Sequence, residues 1–188
     1  MFRLLILLAA LPIIAAFVAR WYFGIRIIAT TGRRQCRCDI EKWQAAFGEE
    51  NLPLAQEGDA MVYAELLRKC SLEDWKTRDP KSAASREGAR RFGMAVPPLS
   101  LMIAVLAIFV GKIPIAGAIA VFLVAIAFSA FISYISIAPE LRAILITSRR
   151  LRDAGIFYRR DDEDAVIKTL TALAWKEAAP PVFNLIQR

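Results

Sequence analysis

Histidine, the side chain most often recruited for proton chemistry near neutral pH, is missing from all 188 residues of this chain. Its absence excludes a haem held by the chain's own imidazoles, a His-containing zinc or non-haem iron site, and a His-based nucleophilic triad. The thiols are Cys36, Cys38 and Cys70. Zinc and iron–sulfur sites usually take four ligands, often from cysteine pairs two residues apart. Here a single residue separates the first pair and the third cysteine lies far off. Even with an oxygen from Asp39 the set is short, so no metal or other cofactor is expected. Three thiols are too few for a disulfide framework and read as ordinary, partly buried residues suited to a reducing compartment.

The carboxylates offer little more. Asp161-Asp162-Glu163-Asp164 could collect a divalent cation, but the oxygen spacing fits no calcium loop. Acids at a helix start already have a use, offsetting the exposed N–H groups and the dipole. Glu140 is the acid closest to a long apolar run and is expected to pair with Arg142 or with a partner's arginine. A proton relay there would require a place deeper in the bilayer. Ser129, Ser133 and Ser136 fall near one helical face, and Ala116 and Ala120 flank Gly117. Such residues allow close helix approach and hydroxyl hydrogen bonds, so this set is expected to form a packing face, toward a neighbouring helix of the chain or toward another subunit. The segment 81–91 (KSAASREGARR) contains nothing like a phosphate loop. The arginine clusters are interspersed with acids and lack a stacking platform, which argues against nucleic acid and for lipid headgroups.

The elements that must carry these residues are set by hydropathy. Hydrophobic residues make up 57% of the chain and the mean hydropathy is +0.43, well above a soluble domain's usual balance. From Met94 to Ala138 Lys112 is the only ionisable group at neutral pH, and Gly111-Lys112-Ile113-Pro114 divides the stretch into apolar runs of 17 and 26 residues. Roughly 20 helical residues cross a hydrocarbon core about 30 Å thick, so both runs suit membrane helices joined by a tight turn. A third apolar run, from Leu4 to Ala19, follows Arg3 and is closed by Arg20-Trp21-Tyr22. It resembles a signal peptide, but Phe17-Val18-Ala19 sets an aromatic where cleavage wants a small residue, so a retained helix is expected. Trp21 and Tyr22 suit a headgroup belt, and Arg20 can reach the surface by snorkelling.

The sequence therefore predicts an all-α integral membrane protein with three transmembrane helices, one N-terminal (1–23) and a C-terminal hairpin pair (94–110 and 115–138, joined by a turn at 111–114). Small helical polar segments occupy 24–93 and 139–188. In the first, Asp39, Asp59 and Asp79-Pro80 are expected to cap helices, and Ser71 with Asp74 has capping-box spacing before Trp75. Residues 48–58 read as a loop. The core of this segment is meagre, so it is expected to lean on the membrane, on the C-terminal segment or on a partner. After Pro139, Leu141, Ile144, Leu145, Ser148 and Leu151 recur at helical spacing, with Arg142, Arg149 and Arg152 on another side. That pattern predicts a basic amphipathic helix against anionic headgroups, ended by Gly155. A further helix is expected through Val166, Leu170 and Leu173 until Pro180-Pro181 stops it.

The two polar segments hold 13 and 9 of the 25 basic residues. Three crossings place both on one side, and retention of Lys and Arg makes that side cytoplasmic, with Met1 and the Lys112 turn outside a bacterial inner membrane. No convergent catalytic group emerges. The expected role is a non-catalytic integral subunit or assembly partner of an inner-membrane complex, in contact with other membrane subunits or with copies of itself. One alternative is a small homo-oligomeric transporter or channel with Ser129, Ser133 and Ser136 along its axis. Another is an enzyme acting on lipid at the cytoplasmic surface through Asp39, Asp59 or Glu140.

Overall fold

The structure is a computed structural model that describes residues 2–49, 52–53, 55–111 and 113–178. Lys112, Pro180-Pro181 and the tail beyond them lie outside the described residues. Three helices are long and apolar enough to cross a membrane, one N-terminal and two paired later in the chain. Helix α1 (Phe2–Ala19) runs on through a π-helical segment (Arg20–Ile27) into α2 (Ile28–Thr31), past the expected end at residue 23. Two short strands, β1 (Gln35–Arg37) and β2 (Glu57–Asp59), pair antiparallel with Cys36 opposite Gly58. Between them lies α3 (Ile40–Phe47). Then come α4 (Ala60–Arg78), α5 (Pro80–Phe109), α6 (Ile115–Ile135), α7 (Ala138–Ala154) and α8 (Arg160–Ala178).

Several boundaries follow from single residues. Asp39 Oδ1 accepts from the Glu41 and Lys42 N–H groups at 3.1 and 3.3 Å, opening α3. Asp79 Oδ1 accepts from the Ser82 N–H at 3.1 Å, and Pro80 enters the first turn of α5. Gly155 closes α7 at φ 55°, a conformation that favours glycine. Asp59 precedes α4 but makes no side-chain cap; its Oδ1 accepts from Gln35 Nε2 across the ribbon. The capping box expected at Ser71 and Asp74 is not formed. Helix α4 is continuous through both, because Leu67, Cys70, Ser71 and Trp75 are all buried along its length. Packing of that face against α7 and α8 outweighs a local stop signal.

The two polar segments fold on one another. Trp43, Tyr63 and Leu67 from the first and Ile144, Leu151, Ile156, Val166 and Leu170 from the second form one buried cluster. Phe157 meets Tyr63 edge to face at 5.6 Å and Trp43 at 6.3 Å. Such ring pairs add about 0.5–1.5 kcal/mol each beyond their buried area. The meagre core of residues 24–93 is thus completed by residues 139–178. Helix α8 joins this domain to the N-terminal helix: Trp175 stacks on Phe23 at 5.3 Å and lies 5.8 Å from Tyr134 of α6.

The membrane bundle packs differently. Helix α6 lies between α1 and α5, and its buried residues include Gly117, Ala118, Ala120, Ala127, Ser129, Ala130 and Ser133. At Gly93 of α5 an added β-carbon would sit 3.0 Å from the Ser133 Oγ and 3.2 Å from the Ser129 Oγ, so the helices meet there through a missing side chain. Ser129 Oγ donates to the Gly93 carbonyl at 2.8 Å, and Tyr134 Oη donates to the Ala16 carbonyl at 3.1 Å. Hydroxyls that bond across helices in this way spare the apolar bundle an unsatisfied polar group.

Candidate functional site

Four helices converge where the bundle meets the polar domain. Helix α4 supplies Arg68, α5 supplies Arg86 and Arg90, the first turn of α7 supplies Glu140, and the end of α8 supplies Glu177. Glu140 is the hub, with 4% of its side chain exposed. Its Oε1 accepts from Arg68 Nη2 at 2.7 Å and its Oε2 from Arg86 Nε at 3.1 Å. Arg68 also binds Glu177, through Nη1 to Oε1 and through Nη2 to Oε2 at 3.0 Å. Arg90 Nη1 approaches the same Glu177 Oε2 at 3.9 Å.

Arg86 has a second task. Its Nη1 donates to Ser136 Oγ at 2.7 Å and to the Ser133 carbonyl at 3.3 Å. That carbonyl belongs to the last turn of α6, where backbone acceptors lack intrahelical partners. One guanidinium therefore caps the C-terminal end of α6 while pairing with the acid that opens α7. Both placements agree with the helix dipoles, cation at the C-terminus and anion at the N-terminus.

Burial by itself would push the Arg68 guanidinium down, but the hydrogen bonds it donates to Glu177 and Glu140, with their charges, outweigh it and hold the group above its ordinary value. For Glu177 burial pushes upward, and the Arg68 hydrogen bonds and charge overcome it, holding the carboxyl below the usual carboxylate range. Arginine cannot give up its proton in this setting. Its fixed charge and paired donors suit the cluster to fixing helices and to holding anions. A cavity of about 390 Å³ opens beside it, lined by five basic and three acidic residues.

The packing residues expected from sequence divide. Ser129 and Ser133 are buried against α5, Ser136 receives Arg86, Ala120 is 1% exposed and Ala116 faces outward. Of the anchoring set, Trp21 and Tyr22 are 50% and 44% exposed, whereas Arg20 is buried at 7%, on the π-helical segment that packs against α8. Arg142 and Arg149 are exposed. Arg152 is exposed too, but its guanidinium bonds Glu163 and Asp164, each at 3.0 Å. The other two acids of that run pair with Arg34, Asp162 at 3.2 Å and Asp161 at 3.6 Å.

No family model, curated protein or solved structure matches this chain. The chemistry of the residues must therefore carry the reading. Cys36, Cys38 and Cys70 are buried free thiols. Burial, reinforced by Asp162 beside Cys36 and by Glu73 beside Cys70, pushes each of those two up to about 11. They are protonated at neutral pH, the form of a thiol that is a poor nucleophile. Sequence reasoning singled out Glu140 but not its partners. Arg68 and Arg86 lie 72 and 54 residues upstream, and the available signal was only that an acid at the edge of an apolar span needs a counter-charge.

Proposed function

We propose that this chain is a non-catalytic integral subunit or assembly partner of a bacterial inner-membrane complex. The observation that carries the proposal is the Glu140 cluster, which fastens both ends of the α6–α7 junction to the polar domain and makes a rigid platform. Large apolar side chains of the membrane helices face outward, among them Leu106, Phe109 and Ile115, leaving surface for lipid and for other subunits. Ser129 and Ser133 are occupied inside the chain, which disfavours a channel lined by them. The positions of the arginines support a cytoplasmic polar domain with the N-terminus and hairpin turn outside.

Purification in mild detergent is the test. The expected result is a larger membrane protein recovered in fixed ratio, with the reciprocal purification through that protein returning this chain. A folded, monodisperse protein recovered alone, or ion flux through liposomes containing only this chain, would contradict the proposal.

A further inference from the structure

The cavity beside the Glu140 cluster has a surplus of positive charge that the fold does not consume. Arg68 and Arg86 are held by Glu140 and Glu177. Lys76, which also lines the cavity, makes no ion pair among the described residues. Among the described residues Arg90 reaches only a carboxylate already taken by Arg68. Arg91 pairs with Glu87 four residues before it at 3.0 Å, with side chains 76% and 49% exposed. Exposed pairs of this kind are weak and exchange readily for a better anion.

Position identifies the anion. Helix α5 runs without a break from this cavity into the membrane span. Arg90 and Arg91 precede Met94, the first residue of the apolar run, by four and three residues. At 1.5 Å per residue that is about 5–6 Å along the axis, within a headgroup layer about 5–8 Å deep on each side of the hydrocarbon. Met94 shares their helix face at three- and four-residue spacing and is 41% exposed, offering apolar surface where an acyl chain would begin. We propose that the cavity between α4, α5 and α8 binds the phosphate of an anionic phospholipid headgroup, held by Lys76, Arg90 and Arg91. Guanidinium forks and an ammonium suit phosphate oxygens as paired donors and as a point charge. The site stands apart from the subunit reading and would serve a protein of any role.

The test uses the full chain in nanodiscs of phosphatidylcholine with and without phosphatidylglycerol, followed by native mass spectrometry. The wild type is expected to retain one phosphatidylglycerol per chain. Retention should fall about a hundredfold in Lys76→Gln/Arg90→Gln/Arg91→Gln and be unchanged in Lys69→Gln/Lys168→Gln, two exposed lysines of α4 and α8 outside the cavity lining. Lys76→Gln alone, which removes a cation bonded to no carboxylate among the described residues, should lower retention about fivefold and keeps the test open if the triple variant does not fold. Equal retention by wild type and cavity variants, or equal loss in Lys69→Gln/Lys168→Gln, would overturn the site. Binding of inorganic phosphate in pure phosphatidylcholine discs, without retention of phosphatidylglycerol, would assign the phosphate to a soluble source and overturn the lipid assignment.

Discussion

Trp43, Tyr63 and Phe157 meet ring to ring in the polar domain, whereas the membrane bundle buries Ala16, Ala118, Ala120, Ser129, Ala130 and Ser133. The contrast reflects the two solvents. Water rewards burying large apolar groups, so two segments too poor to fold separately combine their aromatics and leucines. Lipid gives no such reward, and helices there associate through close backbone approach and a few hydrogen bonds. Glu140 and its arginines sit at the seam, where neither mechanism is sufficient.

Substitutions can break that comparison region by region. The largest effect is expected at the seam. Glu140→Ala leaves two buried guanidiniums without their shared anion and should cost about 3–5 kcal/mol, lowering the stability of both regions together in a denaturant titration. Leu170→Ala removes a fully buried side chain of the polar domain and should cost about 2–5 kcal/mol. Tryptophan fluorescence should show the polar domain unfolding early while the bundle's helicity persists. Gly93→Ala should do the reverse, because its methyl must displace two serine hydroxyls. A loss of about 1–3 kcal/mol is expected, read as easier separation of α5 from α6 by site-directed cross-linking. The smallest effect is pH-dependent. Glu177 is held below the usual carboxylate range, so its stabilisation is complete above that range and is lost as pH falls through the native value. Glu177→Gln should therefore flatten the acid limb of the stability profile, and an unchanged acid limb would deny Glu177 this role.

What could be read in the sequence was local. The three apolar runs, the Asp39 and Asp79 caps and the Gly155 stop depend on residues within a turn or two of one another, and each is present. The Ser71–Asp74 spacing misled because α4's burial against distant helices is not written near Ser71. The β ribbon was missed since three residues per strand give too short an alternation to detect. Ser129 and Ser133 were recognisable as a packing face, but their partner Gly93 was not, being 36 residues from Ser129. The Glu140 cluster was the least legible, since only the closed fold brings α4, α5, α7 and α8 to one point.

The central claim is that Glu140 ties the membrane hairpin to a single domain made from both polar segments. Hydrogen exchange on the wild type and Glu140→Ala in nanodiscs tests it most directly. The expected result is a joint loss of protection in α4, the polar half of α5 and the α6–α7 junction. Loss confined to the first turn of α7, with α4 and α5 protected as before, would contradict the account.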